Sequence, residues 1–257
     1  MKKSFVIAMA AAILLSFTGC AKKAHIVINN MEDLNGKTLG CQAGTTGEVF
    51  INEEVKDATV KSFKTGIDAA LALKNGSVDA VVLDELPAKE IVKRNPDLCI
   101  VDAEFATEEY AIAVRKGDTA LLDSINETIR AIMVNGTYSN LINAFMPIDG
   151  NIVIPEDVAS ESEEVIRMGT NAAFPPFEYT IGTKVVGFDA SLAQIIARDY
   201  GKKLEIKDMN FDGLIAALQS GAIDFIAAGM TATEERKLNV DFSDPYFVSS
   251  QVVIVRK

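Results

Sequence analysis

Charged and hydroxyl side chains stand directly after several predicted strands, where loops commonly bind small molecules. Arg236 lies just beyond one such strand, Asp84 ends a second, and Thr46 belongs to a glycine-rich loop after a third. In open parallel sheets, ligands bind outside the carboxyl ends of the strands and against the first turns of helices. A guanidinium clamps a carboxylate through two parallel hydrogen bonds, and a carboxylate can pair with an ammonium group. These three groups therefore suit the two charged ends of a zwitterion.

Each of these residues also has a purely structural interpretation. The loop 43–48 carries two glycines and two threonines, and it could equally be a turn that caps the next helix. It is not a phosphate-binding Walker loop, because no Gly-Lys-Ser/Thr follows. Thr231 and Glu234 form a capping-box pattern. Arg236 could pair with a glutamate on a helix surface, and Asp84 could cap the helix that follows it.

Two aromatic residues border the same loops. Phe174 precedes Pro175 and Pro176, which we expect to hold this segment extended. Phe211 opens a predicted helix on the same rim. Either ring could lie against a ligand or belong to the core. We assign the apolar wall of the predicted site to Phe174.

Composition and charge exclude several functions. The chain of 257 residues has 36 acidic and 25 basic side chains, a net charge of −11. Nucleic acid is excluded as a partner, because phosphates demand clustered Lys and Arg. The single histidine, His25, makes two-histidine zinc sites impossible and a catalytic triad improbable. No metal-ligand cluster, general-base pair or activated nucleophile stands out, and we predict no metal, no cofactor and no catalysis.

An internal repeat is the most informative feature of the chain. Residues 72–81 (ALKNGSVDAV) match residues 217–226 (ALQSGAIDFI). Each copy predicts the last turn of a helix, a glycine that ends it, and a strand of β-branched residues. Strands that alternate with helices indicate βαβ units and a parallel sheet. We therefore predict an α/β protein with two lobes, each a mainly parallel sheet flanked by helices, over residues 30–112 and 113–257.

The second predicted lobe begins with helices and a linker. Asp118 is a predicted N-cap, and Gly136 a predicted C-terminal glycine, of a helix with an apolar stripe. Tyr138–Met146 predicts a further short helix. Residues 147–164 contain two prolines, a glycine and a Ser/Glu run, so we predict an exposed linker.

The N-terminus has the pattern of an export signal. Two lysines precede the apolar run Phe5–Leu15, which is too short to span a bilayer, and residues 1–19 are therefore predicted as a signal peptide. Cys20 follows two small residues, as in a bacterial lipobox, and we predict its lipidation; an ordinary signal peptide with a coincidental cysteine is the alternative. Residues 20–29 would then form a lipidated tether. The predicted product is exported, periplasmic or at the cell surface, and attached to the membrane through this anchor alone.

The two remaining cysteines, Cys41 and Cys99, lie in predicted strands of the first lobe. Export permits a disulfide between them. Their apolar surroundings equally suit two separate buried side chains. We favour the unpaired state.

Several motifs together resemble those of the extracytoplasmic amino-acid-binding proteins of ABC importers, a family that includes the glutamine-, histidine- and lysine/arginine/ornithine-binding proteins. The motifs are AFPPFE at 173–178, VGFD at 186–189, GAID at 221–224, MTATEER at 230–236, DFSDPY at 241–246, LNGK at 34–37 and QAGTTG at 42–47. They are distributed over nearly the whole predicted mature chain.

The resemblance implies a type II periplasmic-binding-protein fold, whose two lobes close by a hinge motion over a free α-amino acid. The protein would be a monomer that delivers this ligand to an ABC permease, without enzymatic activity. The implied ligand-binding positions are Gln42, Gly44, Thr45, Thr46, Asp84, Asn171, Phe174, Phe211, Ala228, Gly229, Thr231 and Arg236. In such proteins the matching Arg and Thr residues hold the ligand. We expect Arg236 and the Thr46 loop to bind the α-carboxylate, and Asp84 to bind the α-ammonium group.

The order of the motifs differs from that of the family. There, the segment beginning near Ile166 comes first, and the segment that opens this chain follows the first crossing between the lobes. The chain therefore has the pattern of a circular permutation in which residues 147–164 join the usual ends. We expect residues 251–257 to form a hinge strand of the second lobe that ends freely near residues 26–29. Tyr110–Arg115 would then be the only continuous crossing.

The sequence also suggests the class of the ligand side chain and two alternatives to a binding protein of an importer. Family members that bind basic amino acids often carry Asp where Asn171 stands, so the resemblance favours a neutral amino acid. The main rival is an enzyme similar to the prephenate/arogenate dehydratases, which would need a proton donor aimed into the cleft; Glu85 and Glu178 are candidates by position. A sensor lipoprotein is the third possibility.

Overall fold

The structure of the chain is a computed structural model. It describes residues 27–28, 30–101, 106–158 and 160–257. The predicted signal peptide, the predicted lipidation site Cys20 and His25 lie outside the described residues. In the described part of the chain, no helix is both long and apolar enough to cross a bilayer.

Strands and helices alternate along most of the described chain. The strands are β1 (Thr38–Gln42), β2 (Thr59–Phe63), β3 (Ala80–Asp84), β4 (Leu98–Ile100), β5 (Thr107–Tyr110), β6 (Ala113–Arg115), β7 (Val165–Thr170), β8 (Ala173–Phe174), β9 (Glu178–Ile181), β10 (Lys184–Val186), β11 (Lys203–Asp208), β12 (Phe225–Ile226), β13 (Val240–Phe242) and β14 (Phe247–Arg256). The α-helices are α1 (Thr46–Glu54), α2 (Gly66–Lys74), α3 (Glu85–Arg94), α4 (Thr119–Asn135), α5 (Thr137–Phe145), α6 (Phe188–Asp199), α7 (Leu214–Gln219) and α8 (Glu234–Lys237). Met31–Leu34 and Phe211–Gly213 form short 3₁₀ helices.

Two main sheets form the centres of two lobes. The sheet of the first lobe has the strand order β2-β1-β3-β14-β4, with β5 also paired to β14, and it carries helices α1 to α3. The sheet of the second lobe has the order β11-β7-β12-β6-β13 and carries the remaining helices. Among the described strands of each sheet, one runs against the others: β14 in the first lobe and β6 in the second. The predicted α/β architecture with two mainly parallel sheets is confirmed.

The two copies of the internal repeat fold in the same way. Helices α2 and α7 are each followed by a glycine with a positive φ, 72° in the first copy and 78° in the second. An aspartate then joins each copy to a strand of its own sheet, β1 in the first lobe and β7 in the second. Asp79 accepts a hydrogen bond from the Thr38 N–H at 2.9 Å, and Asp224 accepts one from the Arg167 N–H at 2.8 Å. The sequence repeat therefore reflects a structural repeat.

The chain crosses between the two sheets at two places. One crossing joins β5 to β6, and the other joins β13 to β14. The expectation that Tyr110–Arg115 would be the only continuous crossing is therefore wrong. The placement of residues 251–257 in the second lobe is also corrected, because β14 lies between β3 and β4 of the first lobe. The side chains of Val252–Val255 are buried and the backbone of β14 pairs on both sides, which satisfies polar groups that a free strand would leave open.

The helices at the start of the second lobe agree with the prediction. The Asp118 side chain accepts a hydrogen bond from the Leu121 N–H at 3.4 Å, and Gly136 ends α4 with a φ of 86°. Helices α4 and α5 both pack against α6. They therefore belong to the second lobe.

The predicted linker 147–164 has no helix or strand among its described residues. It is fastened to the second lobe by an ion pair of 2.6 Å between Asp157 and Lys184. The Val158 N–H also donates to the Gln194 side chain at 2.8 Å. The segment is an ordered connection along the lobe surface.

An aromatic cluster lies where the two crossings meet. The ring centroid of Phe177 lies 5.1 Å from that of Tyr110 on β5 and 4.9 Å from that of Phe247 on β14. Phe188 stacks on Tyr246 at 6.0 Å. These rings contribute large buried apolar areas, and edge-to-face contacts add specificity to their packing. The cluster holds Tyr110 in place beneath the cleft between the lobes.

Candidate functional site

One cavity lies between the two lobes and gathers most of the predicted site residues. Its empty space is about 330 Å³, a figure that includes the open mouth of the cavity. Its lining residues are Gln42, Thr45, Thr46, Asp84, Asn171, Phe174, Glu178, Phe211, Ala228, Gly229, Thr231 and Arg236. Eleven of the twelve predicted binding residues are among them, and Gly44 is not. The structure therefore brings together residues from both halves of the sequence.

Arg236 enters the cavity from α8 of the second lobe. Its Nη1 donates to the Thr231 carbonyl and its Nη2 donates to the Gly44 carbonyl across the cleft, both at 2.8 Å. The guanidinium carbon lies 5.4 Å from the centroid of the Phe211 ring, a cation–π distance. Burial lowers the pKa of Arg236, whereas Glu108 and Asp84 oppose that shift. The group remains a cation and can bind a carboxylate.

Asp84 enters the same cavity from the end of β3 in the first lobe. It precedes α3 but makes no side-chain cap hydrogen bond, which removes the capping interpretation. Its carboxylate accepts hydrogen bonds from the Tyr110 hydroxyl and the Gln251 amide. Burial raises the pKa of Asp84 to about 7, against the lowering effect of the Tyr110 hydrogen bond. An ammonium group in the cavity would favour the ionised form.

The loop 43–48 turns from β1 into α1 and presents two hydroxyls at the cavity. The Thr45 hydroxyl donates to the Gln42 carbonyl at 2.8 Å, and Thr45 makes no side-chain cap hydrogen bond. Thr46 begins α1, and its hydroxyl accepts a hydrogen bond of 3.3 Å from the Gln251 side chain. The loop therefore places the N-terminal end of α1, with its partial positive charge, beside the cavity.

Gly44 closes the cleft instead of lining the cavity. Its φ is +77°, and a Cβ at this position would lie 3.0 Å from the Asp212 Cα of the second lobe. Its carbonyl accepts the cross-cleft hydrogen bond from Arg236. Gly44 therefore permits the close approach of the two backbones, and its predicted contact with a ligand stays a prediction.

A second polar contact joins the two lobes at the cavity. The Gln42 amide donates to the Asn171 side-chain oxygen at 2.9 Å, and both residues are buried. The Asn171 amide in turn donates to the Met209 carbonyl at 2.8 Å. The hydrogen bond between Gln42 and Asn171 exists only when the lobes are together, so it stabilises the closed arrangement.

Phe174 and Gly229 form one apolar wall of the cavity. Phe174 is 9% exposed and stacks on Phe177 at a centroid distance of 5.9 Å. A Cβ on Gly229 would lie 2.7 Å from the Phe174 ring. The ring and the backbone of Gly229 therefore pack closely, and Phe174 is both a core and a cavity residue.

Two local predictions are wrong. The N-cap of α8 is Thr233, which accepts from the Arg236 N–H at 3.2 Å, and not Thr231 as the capping-box pattern suggested. The Thr231 hydroxyl instead donates to Glu108. The proline segment after Phe174 is a tight turn between β8 and β9, closed by a 3.0 Å hydrogen bond from the Phe177 N–H, and not an extended loop. In the first case a hydrogen bond to β5, a strand distant in the sequence, overrode the local pattern. In the second, β8 and β9 pair with each other across the turn.

Four further residues belong to the site, although the sequence did not place them among the binding residues. Tyr110, Glu108 and Gln251 form a buried polar layer behind Asp84 and Thr231. Glu178 lines the cavity itself. Gln251 follows two serines and directly precedes the apolar run 252–255, a weak signal in the sequence. Glu85, the other candidate proton donor, pairs with Lys89 on α3 and is not among the residues that line the cavity.

Metal binding and thiol reactivity are the other kinds of chemistry that the described residues could offer. They contain no group of His, Cys, Asp or Glu side chains that could hold a metal ion. Cys41 and Cys99 are both free thiols. Burial raises the pKa of Cys41 to about 12, so this thiol is a poor nucleophile.

Two α/β lobes that present opposite charges to one cleft define a two-lobed ligand-binding protein. Comparison with known families gives the same result. Residues 166–257 match the bacterial extracellular solute-binding proteins, family 3. The two-lobed α/β architecture agrees with the type II periplasmic-binding-protein fold that the motifs implied.

Curated relatives match part of the chain. The arginine-binding extracellular protein ArtP of Bacillus subtilis (strain 168) is 46% identical over 99 residues, 38% of this chain and 39% of the relative. A probable histidine-binding protein of Campylobacter jejuni subsp. jejuni serotype O:2 (strain ATCC 700819 / NCTC 11168) is 41% identical over 92 residues, 36% of each chain. The ABC transporter arginine-binding protein 1 of Escherichia coli (strain K12) is 32% identical over 120 residues, 45% of this chain and 49% of the relative. The chain spans less than half the length of each of these relatives.

Solved structures match over a similar share. An ancestral arginine-binding protein bound to arginine is 58% identical over 33% of this chain and 38% of that chain, with a TM-score of 0.32. The arginine-bound form of domain 1 from TmArgBP is 48% identical over 36% of this chain and 80% of that chain, also with a TM-score of 0.32.

Proposed function

We propose that the chain binds one free α-amino acid between its lobes and delivers it to an ABC importer. The observation that carries this proposal is the placement of Arg236 and Asp84 on opposite lobes, facing one cavity. A guanidinium and a carboxylate at one small cavity match the α-carboxylate and α-ammonium groups that all free amino acids share. Curated relatives named as binding proteins for arginine, histidine and cystine support the same ligand class.

The contacts across the cleft support a closing mechanism. The hydrogen bonds from Arg236 to Gly44 and from Gln42 to Asn171 each join the two lobes. A ligand that bridges the lobes would add its own contacts to the closed state alone, and it would therefore shift the protein toward closure.

Isothermal titration calorimetry tests the proposal directly. The purified chain, without residues 1–19, is titrated with each of the twenty common amino acids. At least one should bind with a stoichiometry of one. Its D-enantiomer should bind far more weakly, because a D-amino acid whose two charged groups match the site would direct its side chain away from the position that the L side chain takes. An absence of binding across the whole panel would refute the proposal.

The same titrations decide whether the ligand has a neutral or a cationic side chain. The sequence predicts a neutral amino acid, because Asn171 replaces the aspartate common in binders of basic amino acids. The names of the relatives include arginine and histidine binders. The panel must therefore include neutral and cationic amino acids of similar length.

Export and attachment are part of the same proposal. The family is described as extracellular, and the sequence of residues 1–20 has the pattern of a lipoprotein signal. We propose that Cys20 carries the anchor and that an ABC permease and the membrane are the partners of a monomeric protein. Metabolic labelling with a palmitate analogue tests the anchor, since Cys20→Ser should abolish the label. Persistent labelling of this variant would contradict lipidation at Cys20.

The circular permutation is also a proposal. Ile28, near the start of the described chain, packs in the same apolar cluster as Val253 and Val255 at its other end. Ends that lie together can be joined and new ends opened elsewhere with little change in the fold. A rearranged chain that begins at residue 165 and joins residue 257 to residue 30 should fold and bind the same ligand; loss of folding would contradict the proposal.

An enzymatic function is the second candidate, and one observation favours it. A dehydratase needs a proton donor in the cleft, and Glu178 is a buried acid that lines the cavity, with a pKa raised well above its ordinary value by burial. Incubation with prephenate and arogenate tests this candidate: formation of phenylpyruvate or phenylalanine would establish the enzyme. A sensor function would show as ligand-dependent capture of a receptor domain instead of a permease.

A further inference from the structure

Glu108 is a buried acid behind the cavity, and its hydrogen-bond donors in the described part of the chain are both neutral. It lies on β5, is 4% exposed, and is not among the residues that line the cavity. One of its carboxylate oxygens accepts a hydrogen bond from the Thr231 hydroxyl, and the other accepts one of 3.4 Å from the Gln251 amide. A buried carboxylate without a cation bonded to it is costly, so its presence here needs an explanation.

The hydrogen bond to Glu108 fixes what the Thr231 side chain can offer to a ligand. A hydroxyl has one proton to donate and two lone pairs that accept. Because Thr231 donates its proton to Glu108, only the accepting side of its oxygen remains for the cavity, which Thr231 lines. An acceptor suits the α-ammonium end of an amino acid, since the α-carboxylate has no proton to donate. Glu108 therefore determines which end of the ligand the Thr231 hydroxyl can bind.

Glu108 also acts on Asp84, the residue proposed to bind the α-ammonium group. The Gln251 amide nitrogen donates to both acids, so the two carboxyl groups lie close together. Burial is the largest cause of the raised pKa of Asp84, and the negative charge of Glu108 raises this pKa further. Two like charges at one place favour the uptake of a positive charge, either a proton or a cation. The ammonium group of a ligand would supply that charge.

The other titratable groups around Asp84 come from β5, β9 and α8. Tyr110 on β5 donates its hydroxyl to Asp84. Burial raises the pKa of Glu178 on β9, and the charge of Asp84 raises it further. Burial lowers the pKa of Arg236 on α8, and Glu108 opposes that shift more strongly than Asp84 does. The alternative role for Glu108 is therefore that of a counterion of Arg236 and nothing more.

We propose that Glu108 is a positioning residue for the ammonium end of the ligand: it holds the Thr231 hydroxyl as an acceptor toward the cavity, and it adds its negative charge to that of Asp84. This inference rests on the proposed amino-acid-binding function. Glu108 acts through Thr231 and Asp84 and does not touch the ligand itself. A counterion of Arg236 would instead act on the carboxylate end of the ligand, so the two roles differ in the ligand group that they affect.

Calorimetry with matched pairs of ligands separates these roles. Each pair consists of an amino acid that binds and the acid that lacks only its α-amine, such as L-arginine with 5-guanidinopentanoic acid or L-glutamine with 4-carbamoylbutanoic acid. At pH 8, where Asp84 is largely ionised, the unmodified chain should prefer the amino acid of each pair. In Glu108→Gln this preference should fall by about three- to tenfold, the size of one hydrogen bond. Glu109→Gln is the matched control, because Glu109 is the next residue of β5 and is exposed; it should leave the preference unchanged.

The outcomes distinguish the inference from the function on which it rests. If no amino acid binds the unmodified chain, the proposed function fails and the inference fails with it. If amino acids bind but Glu108→Gln changes both ligands of a pair equally, or changes neither, the function stands and the inference is overturned. If a thermal melt shows that Glu108→Gln does not fold, Glu108→Asp replaces it. This variant keeps the charge but withdraws the carboxylate from Thr231 by one methylene, so the preference should still fall; an unchanged preference would overturn the inference.

Discussion

Replacement of Arg236 by alanine is the most direct test of the proposed binding mode. The guanidinium makes two hydrogen bonds at once: Nη1 donates to the Thr231 carbonyl of its own lobe, and Nη2 donates to the Gly44 carbonyl of the other lobe. The Phe211 ring lies beneath it. The alanine variant would leave the α-carboxylate of a bound amino acid in the cleft without a charged partner, and it would also remove one contact that closes the cleft.

The expected size of the effect follows from these two losses. Truncation of one partner of a buried, hydrogen-bonded charge pair costs about 2–5 kcal/mol. The lost interlobe hydrogen bond adds about 0.5–1.5 kcal/mol to the cost of closure. The dissociation constant should therefore rise by about 70-fold at the least and by more than about 1,000-fold at the upper end. Arg236→Lys keeps the charge but loses the planar two-pronged geometry, so its affinity should lie between the two.

The assay is calorimetry with the best ligand of the panel, together with a thermal melt of each variant. Arg130→Ala is the matched control, because Arg130 is an exposed arginine of the same lobe that pairs with Asp244. It should bind as the unmodified chain does. If Arg236→Ala folds normally and its dissociation constant changes by less than about threefold, Arg236 does not bind the carboxylate, and the assignment of the cavity as an amino-acid site loses its basis.

Three further predictions address the cavity walls and the buried charge. The pKa of Asp84 is raised from 3.8 to about 7, so between these pH values the folded state holds a proton that the unfolded state releases. The unfolding free energy of the unliganded protein should therefore fall as the pH rises from about 4 to 7. Urea melts should show a shallower fall of this free energy in Asp84→Asn. Gly229→Ala would place a Cβ at a φ of +53° and 2.7 Å from the Phe174 ring, so stability should drop by about 1–3 kcal/mol in a thermal or urea melt. Gln42→Ala removes the hydrogen bond to Asn171 across the cleft, and calorimetry should show a loss of about three- to tenfold in affinity.

Each of these three predictions has a result that would contradict it. A pH profile of stability that is the same in Asp84→Asn would mean that Asp84 is ionised throughout. Unchanged stability of Gly229→Ala would mean that the Phe174 ring can shift to admit the new Cβ at little cost. Unchanged affinity in Gln42→Ala, measured beside the surface control Gln219→Ala, would mean that this hydrogen bond does not contribute to closure.

Much of the fold could be predicted from local sequence alone. The two copies of the repeat specify a helix, a terminal glycine and a strand, because a left-handed glycine and a change from helical to alternating periodicity are local signals. The same is true of α4, whose cap residues Asp118 and Gly136 were identified correctly. Arg236, Asp84 and Thr46 were placed at strand ends, and strand ends of a parallel sheet meet at one edge.

The errors arose where distant strands decide the outcome. The position of β14 in the first lobe depends on pairing with β3 and β4, which lie more than 150 residues away in the sequence. Thr231 lost its predicted cap role because Glu108, from a strand far away in the sequence, accepts its hydroxyl. Such pairings leave no mark in the local pattern.

By itself, the sequence determined the two lobes, the charges available to bind a zwitterion and the residues that carry them, because each is set by short-range pattern and residue type. Only the tertiary structure decided which groups face the cavity together. Glu178 illustrates the difference, since its side chain could not be aimed from the sequence, and its meaning depends on burial beside Asp189 and on the absence of a nearby cation among the described neighbours. Electrostatic environment is a property of the assembled fold, because it depends on charges that meet in space from many parts of the chain.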